Sequence, residues 1–207
     1  MLSRSRIARL SVLFCGALTV SLLAALAWQW LVAPSNGPLG SSESGLIRAE
    51  FQLIDQHGNT RDAVEFRGQF MLVFFGFTHC PDICPVQLQI MTTALESLGA
   101  AADQATPIFI TVDPARDTPE VLRDYVANFH PRLVALTGGA AEIGTVARHF
   151  RVYYAKATGG QAPADPADYL MDHTAIVYLI GPDGGYLSHF SPGTSAEDMA
   201  AGLRKYL

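Results

Sequence analysis

Two cysteines four residues apart, Cys80 and Cys84, are the side chains of this sequence best suited to chemistry. They follow an apolar run at 70–77 that predicts a strand buried on both faces, and functional residues of open α/β sheets gather at the carboxyl ends of strands. Pro85 suits the first position of a helix and disfavours helical backbone at Cys84, so Cys84 is predicted to cap a helix over 85–98. The positive end of that helix would lower the pKa of the Cys84 thiol and favour the thiolate.

A thiol pair with this spacing allows three kinds of chemistry: a structural disulfide, a redox-active dithiol, or two ligands of a soft-metal site. Two thiolates alone hold a metal poorly, so a metal site needs a third ligand. Of the six histidines, His173 is the best candidate, because it follows the carboxylate of Asp172 and precedes a predicted buried strand. His79 adjoins Cys80, and neighbours in an extended chain point to opposite sides. From the residues alone, a structural role and a ligand role for His173 stay equally open.

Strand and helix patterns alternate around these residues. Helix starts are indicated by Thr118 followed by proline and an acid, and by the capping box that begins at Ser195. The predicted strands lie at 50–54, 70–77, 107–112, 133–136, 152–155, 175–180 and 186–190, and the predicted helices begin near Pro85, at Thr118, before Ile143 and at Ser195. This order predicts an α/β sandwich in which helices flank a mixed central sheet.

The N-terminal part of the sequence predicts a membrane anchor. Residues 10–32 contain no charged side chain, and as a helix they would span roughly 34 Å, enough for a hydrocarbon core of ~30 Å. Three arginines precede this run, so the positive-inside rule places residues 1–9 in the cytoplasm and exports the rest. The alternative is a cleaved signal peptide, because residues 25–27 read Ala-Leu-Ala. The apolar run continues beyond that point, which favours the anchor.

Composition separates the remaining chain into a stalk and one domain. Residues 33–45 are rich in Pro, Gly and Ser and predict a flexible stalk, which leaves 46–207 as the domain. All 19 acidic residues but only 11 of the 14 basic ones lie at or beyond residue 43, a net charge of −8. An acidic domain behind a basic, apolar segment excludes nucleic acid as the default partner and indicates a membrane instead.

Four segments together resemble the Sco/SenC family of membrane-anchored copper proteins with a thioredoxin-like fold. They lie at 74–85, 111–126, 131–138 and 172–184. Thioredoxins themselves have a C-x-x-C motif and a proline where a histidine stands here. The resemblance implies a thioredoxin-like sandwich with an N-terminal transmembrane helix. The loop 113–116 lies in the second segment and is interpreted as a local turn, with a partner-facing loop as the alternative.

The same resemblance implies the ligands and the role of the site. One copper ion, as Cu(I) or Cu(II), would be held by Cys80, Cys84 and His173, with Asp172 orienting or neutralising the site from behind the ligands. The implied function is to mature the CuA centre of cytochrome c oxidase subunit II, directly or through a second periplasmic copper carrier. The alternative is a thiol–disulfide reductase that keeps the oxidase cysteines reduced, which needs the redox-active cysteine pair but not the histidine. A metallochaperone without turnover of its own is the favoured interpretation.

A bacterial inner membrane, with the domain in the periplasm, is the expected location. The alternative is the mitochondrial inner membrane, with the domain facing the intermembrane space. Only nine residues precede the apolar run, which is too short for a mitochondrial presequence in addition to an anchor.

Overall fold

Residues 47–157 and 169–207 are the part of the chain that the computed structural model describes. The predicted cytoplasmic segment at 1–9, anchor at 10–32 and stalk at 33–45 all lie outside these described residues. Within them, no helix has both the length and the apolar character needed to cross a bilayer.

Strands and helices alternate along the described chain, as the sequence predicts. The strands are β1 (Gln52–Asp55), β2 (Thr60–Asp62), β3 (Phe70–Gly76), β4 (Ala105–Thr111), β5 (Val134–Thr137), β6 (Tyr154–Lys156), β7 (Met171–His173), β8 (Val177–Ile180) and β9 (Tyr186–Phe190). The α-helices are α1 (Ile83–Leu98), α2 (Pro119–Val126), α3 (Ala140–His149) and α4 (Ala196–Leu203), and short 3-10 helices cover Ala63–Phe66 and Gly99–Gln104.

Seven of these strands form one mixed sheet in the order β2-β1-β5-β4-β3-β8-β9. The central strands β3, β4 and β5 are parallel to one another, whereas β1, β8 and β9 run antiparallel to their neighbours. Residues 71–75 of β3 have no exposed surface, as expected for a central strand covered on both faces. The prediction of a mixed central sheet is confirmed.

Two adjacent phenylalanines of β3 show that both faces of this sheet are covered. Phe75 packs against Phe150, the residue that ends α3, with ring centroids 5.2 Å apart. Phe74 points to the opposite face and packs against Phe109 of β4, which in turn contacts Tyr125 of α2. Helices therefore flank the sheet on both sides, and the predicted sandwich is correct.

The helix starts that depend on local capping are also correct. Thr118 accepts a hydrogen bond from the backbone of Val121 and begins α2, with proline at the first helical position. Ser195 accepts one from the backbone of Asp198 and begins α4. These signals depend on neighbours within one turn, which explains why the sequence alone reveals them.

One region differs from the sequence prediction. β7 was not predicted, and it pairs with β6 in a two-stranded ribbon outside the main sheet, with Tyr154 opposite His173. We call β6 and β7 the histidine ribbon. The predicted strand at 175–180 begins only at Val177, where the chain joins the main sheet opposite Phe74. The predicted strand at 152–155 corresponds to β6, whereas β7 is partly exposed and carries no apolar run that would reveal it.

Candidate metal centre

Three side chains from two distant parts of the sequence meet at the carboxyl end of β3. Cys80 and Cys84 follow this strand, and His173 is the last residue of β7. One potential ligand atom from each lies within 4.8 Å of the others, and Cys84 Sγ is 3.4 Å from His173 Nε2. In the described part of the chain, no other group of three or more His, Cys, Asp or Glu side chains has this geometry. Both thiols are free.

The start of α1 positions the two sulfur atoms. The helix begins at Ile83 with Asp82 as its N-cap, so the prediction that Cys84 caps the helix is wrong by two residues. A backbone N–H in the first helical turn has no acceptor within the helix. The amide of Cys84 instead donates to Cys80 Sγ at 3.4 Å. The sulfur atom at the positive end of the helix is therefore that of Cys80.

The proton shared by the two cysteines belongs to Cys84. The hydrogen bond from the Cys84 side chain is the main reason that the pKa of Cys80 falls to about 4, and His173 and the backbone at the helix start lower it further. The hydrogen bond to Cys80 and complete burial raise the pKa of Cys84. The predicted thiolate at the helix terminus is thus Cys80 and not Cys84, because Cys80 Sγ accepts the helix N–H and keeps 9% exposure.

Gly76, the last residue of β3, allows Cys84 to approach the strand closely. A Cβ atom at this position would lie 2.8 Å from Cys84 Sγ and 2.8 Å from Phe109 Cε2. Neither neighbour has free space, since both are completely buried. The sequence analysis did not single out Gly76, although a glycine inside an apolar strand is a known signal for close approach of another group.

The orientation of His173 leaves one ring nitrogen available as a ligand. Nδ1 lies 3.2 Å from the carbonyl oxygen of Thr174, which can only accept, so Nδ1 carries the proton. Nε2, 3.4 Å from Cys84 Sγ, is then the ring nitrogen available to a metal. The rings of Phe74 and Phe77 contact the imidazole edge-on at centroid distances of 6.1 and 5.9 Å and restrict its rotation. This is the arrangement that metal-bound histidines commonly show.

Two other residues of the sequence analysis lie outside the cluster of ligand atoms. Asp172 is exposed, and as the neighbour of His173 on β7 it points to the other face of the ribbon. His79 is exposed too, and its Nδ1 lies 3.1 Å from Thr78 Oγ1.

Asp117 fixes the chain that leads into the cysteines, and the sequence analysis missed it. Its carboxylate has no exposed surface and accepts hydrogen bonds from Thr78 N at 3.1 Å, Thr78 Oγ1 at 2.6 Å and Thr111 Oγ1 at 2.6 Å. Burial raises the pKa of Asp117, although these three hydrogen bonds oppose the shift. The carboxylate therefore joins the chain after β3 to the end of β4.

The loop at 113–116 is a turn, as predicted. The backbone of Arg116 donates to the carbonyl oxygen of Asp113, and the two side chains form an ion pair with little exposure. The guanidinium also lies against Phe77, a contact that no pattern in the sequence indicates.

A cysteine pair at the end of a central parallel strand, with a histidine delivered by a neighbouring ribbon, defines the class: an α/β sandwich with a candidate soft-metal centre. The family model for SCO1/SenC matches residues 40–207. The chain therefore belongs to the SCO1/SenC family.

Individual relatives support the same assignment. The chain is 42% identical over 167 residues to the protein SCO2 homolog, mitochondrial, of Bos taurus, covering 80% of this chain and 61% of the bovine protein. It is similar to the structure of Bradyrhizobium japonicum ScoI with copper bound, with 42% identity, a TM-score of 0.69, and coverage of 78% of this chain and 99% of that one. It also resembles BsSco, a member of the Sco family of cytochrome c oxidase assembly proteins in which a disulfide switch was identified. That match has 26% identity, a TM-score of 0.61, and coverage of 76% and 92% of the two chains. The thioredoxin-like fold expected from the sequence is confirmed.

Proposed function

We propose that this chain is a membrane-anchored copper-binding protein that delivers copper to, or matures, the CuA centre of cytochrome c oxidase subunit II. The observation that carries the proposal is the convergence of Cys80, Cys84 and His173, whose ligand atoms lie within 4.8 Å of one another. The similar ScoI protein of Bradyrhizobium japonicum contains copper, and BsSco belongs to a family of oxidase assembly proteins.

The donor set suits both oxidation states of copper. Two thiolates are soft ligands for Cu(I), and a neutral imidazole adds a ligand that also accepts Cu(II). Cys80 is already a thiolate at neutral pH, since its pKa is about 4, and Nε2 of His173 is the ring nitrogen on the side of the sulfur atoms. Cys84 must release its proton when a metal binds, so copper loading releases a proton. Because Cys84 is buried and Cys80 is nearly so, a partner reaches the site from the side of Cys80 and the histidine ribbon.

We place the protein in a bacterial inner membrane, anchored by residues 10–32, with residues 1–9 in the cytoplasm and the domain in the periplasm. The uncharged run and the arginines before it support this orientation. A mitochondrial inner membrane is the alternative, since the bovine relative is named mitochondrial. Copper passes to the oxidase directly or through a second periplasmic carrier.

The second candidate function is thiol–disulfide reduction of the oxidase cysteines. The low pKa of Cys80 favours it, because the thiolate is the form that attacks a disulfide. The disulfide switch of BsSco is consistent with redox chemistry in a relative. The two functions exclude each other at any moment, because a disulfide between Cys80 and Cys84 removes both thiolate ligands.

The histidine separates these functions, because only copper binding requires it. We expect His173→Ala to weaken Cu(II) binding by about tenfold or more and to prevent oxidase assembly in cells. Reduction of model disulfides should persist, since Cys80, Cys84 and the start of α1 are unchanged. His79→Ala is the matched control, because His79 is adjacent to Cys80 and outside the cluster.

Three results would contradict the copper proposal. Normal oxidase assembly with His173→Ala, but not with Cys80→Ala, would favour the reductase. Wild-type copper affinity in a Cys80/Cys84 double variant would mean that copper binds elsewhere. A clear preference for Zn²⁺ over Cu(I) in a competition titration would replace copper by zinc, for which two Cys, one His and a water are also a suitable set.

A further inference from the structure

We propose that Arg116 is a positioning residue that holds the histidine ribbon against the cysteine segment and thereby sets the place of His173 beside Cys84. The inference rests on the proposed function in one respect, namely that His173 is a metal ligand.

The histidine ribbon needs such a connection, because it lies outside the seven-stranded sheet. Its strands are three residues long and pair with each other, and the ribbon residues are intermediate or exposed. The cysteines, by contrast, follow β3, in which residues 71–75 have no exposed surface. Phe74 contacts the imidazole and the chain rejoins the sheet at Val177, but the ribbon itself is held by contacts outside the main sheet. These contacts therefore help to set the distance between His173 Nε2 and Cys84 Sγ.

Arg116 makes contact with aromatic rings on both sides of this gap. Its Cζ lies 3.7 Å from the ring centroid of Tyr169, four residues before His173, and 5.9 Å from that of Phe77, three residues before Cys80. Phe77 in turn contacts the imidazole of His173 at 5.9 Å with perpendicular ring planes. The Arg116 side chain is only 13% exposed. A guanidinium shielded from water gains more from aromatic faces than an exposed one.

Asp113 holds both Arg116 and Tyr169 in place. One carboxylate oxygen pairs with Arg116 Nε, and the other accepts a hydrogen bond of 2.7 Å from the hydroxyl of Tyr169. The backbone N–H of Asp113 donates to Thr111 Oγ1 at 2.9 Å, which connects the group to the end of β4. We name Asp113, Arg116 and Tyr169 the arginine clasp.

The clasp thus links three segments that are far apart in the sequence: the chain after β3, the turn after β4 and the chain entering β7. Lys156 of the ribbon adds a second cation, 3.7 Å from the centroid of Tyr169. Planarity is essential to this arrangement, because a guanidinium stacks on rings and pairs with a carboxylate together, whereas a lysine ammonium is a point charge. Loss of the clasp should displace the histidine and leave the cysteine pair in place.

The test uses the full-length protein in detergent, with Arg116→Met and Arg116→Lys compared with Arg61→Met. Arg61 is a close match, since it lies 5.0 Å from the ring of Phe66 and forms ion pairs with Asp55 and Glu65, away from the candidate metal centre. We expect Arg116→Met to weaken Cu(II) binding about tenfold or more and to diminish the nitrogen coupling in the Cu(II) electron paramagnetic resonance spectrum. Arg116→Lys should reduce Cu(II) binding and nitrogen coupling nearly as much as Arg116→Met does. Arg61→Met should change neither of these two properties.

Combination with His173→Ala separates positioning from general stability. If Arg116 acts through the histidine, the double variant binds Cu(II) no more weakly than His173→Ala alone. Additive losses, or a wild-type spectrum in Arg116→Met, would overturn the positioning role. Tyr169→Leu and Tyr169→Phe provide the same test should Arg116→Met not fold. The leucine variant, which lacks the ring, should lose nitrogen coupling, and the phenylalanine variant, which lacks only the hydroxyl, should lose less. Wild-type coupling in the leucine variant would overturn the role.

The proposed ligand set and the clasp fail in different ways. His173→Ala without effect on Cu(II) binding would reject the ligand set itself. A strong effect of His173→Ala together with no effect of Arg116→Met would reject the clasp alone.

Discussion

The two walls of the candidate metal centre are built in contrasting ways. The cysteine segment lies between β3 and α1, its sulfur atoms are almost completely shielded, and Asp117 joins the chain before it to β4. The histidine ribbon is a two-stranded element outside the main sheet with partly exposed residues. One wall belongs to the hydrophobic core, and the other is attached to it by side chains.

This difference corresponds to the two kinds of chemistry. Dithiol chemistry needs only the cysteine wall, whose geometry is fixed by dense packing. Metal binding needs both walls at the correct distance, so it depends on the contacts that hold the ribbon. Changes at the ribbon should therefore affect the metal selectively, whereas changes at the cysteine wall should affect both kinds of chemistry.

Hydrogen exchange of the metal-free, reduced protein gives the largest expected difference between the walls. Amide protons of residues 72–75 in β3 should exchange only through global unfolding. The hydrogen-bonded amides of Thr174 and Ala157, which close the ribbon, should exchange at least about a thousandfold faster, because few buried contacts oppose local opening. Equal protection of both regions, measured by NMR, would mean that the ribbon unfolds together with the sheet.

The pKa of Cys80 gives the next largest effect. It compares the two walls directly, because Cys84 of one wall and His173 of the other both lower it. The Cys84 side chain is the main cause of its low pKa, and His173 is a smaller one. In metal-free protein, Cys84→Ala should raise the pKa of Cys80 from about 4 towards the ordinary thiol value of ~8.5, and His173→Ala should raise it less. A lowered pKa means that the thiolate persists at acidic pH.

The rate of alkylation of Cys80 as a function of pH measures this shift. Wild-type protein should react well below pH 7, and Cys84→Ala should react appreciably only under mildly alkaline conditions. A larger shift for His173→Ala than for Cys84→Ala would show that the histidine, and not the second thiol, controls Cys80.

Two glycine substitutions compare how the cysteine wall and a residue of the ribbon give way to an added methyl group. Gly76→Ala places a Cβ atom 2.8 Å from Cys84 Sγ in a fully buried site and should lower the free energy of unfolding by about 1–3 kcal/mol. Gly144→Ala in α3 places its Cβ 3.4 Å from the ends of the Arg148 and Tyr154 side chains. Because Tyr154 belongs to the ribbon, it can give way, and alanine favours a helix by up to about 1 kcal/mol.

Urea titration of both variants tests this contrast. Equal stability of the two variants would show that the cysteine wall relaxes as readily as the ribbon.

Asp117→Asn should have the smallest effect. An amide can keep the contacts to Thr78 and Thr111, because a threonine hydroxyl both donates and accepts. Burial raises the pKa of Asp117, so the folded state binds its proton more tightly than the unfolded state. The wild type therefore loses stability as the pH rises through the window between the ordinary carboxyl pKa and the raised one, and the asparagine variant does not.

At neutral pH, Asp117→Asn should accordingly be at least as stable as the wild type, with an advantage that shrinks in acid. Asp117→Ala is the contrasting variant, because it removes the acceptor for three buried donors and should lower the free energy of unfolding by about 1–3 kcal/mol. Thermal unfolding over a range of pH measures both. An asparagine variant that is clearly less stable at neutral pH would mean that the negative charge itself is required.

The sequence determined the features that depend on near neighbours. The apolar run of β3, the cysteine motif at its end and the caps at Thr118 and Ser195 are local signals, and the structure contains each of them. Resemblance of four segments to a family supplied the thioredoxin-like fold, which the matched structures confirm. The position of Cys84 at the helix start was wrong by two residues, since proline disfavours a helical residue before it without forbidding one.

Only the tertiary structure decided how the site is assembled. Cys84 and His173 are 89 residues apart, and no local pattern reveals that the chain brings them within 3.4 Å. Burial and through-space distance also decide three further features. They are the proton on Cys84, the carboxylate of Asp117 between two strand ends, and the guanidinium of Arg116 against Phe77. These quantities arise when segments distant in the chain pack together, and the types and order of the residues do not contain them.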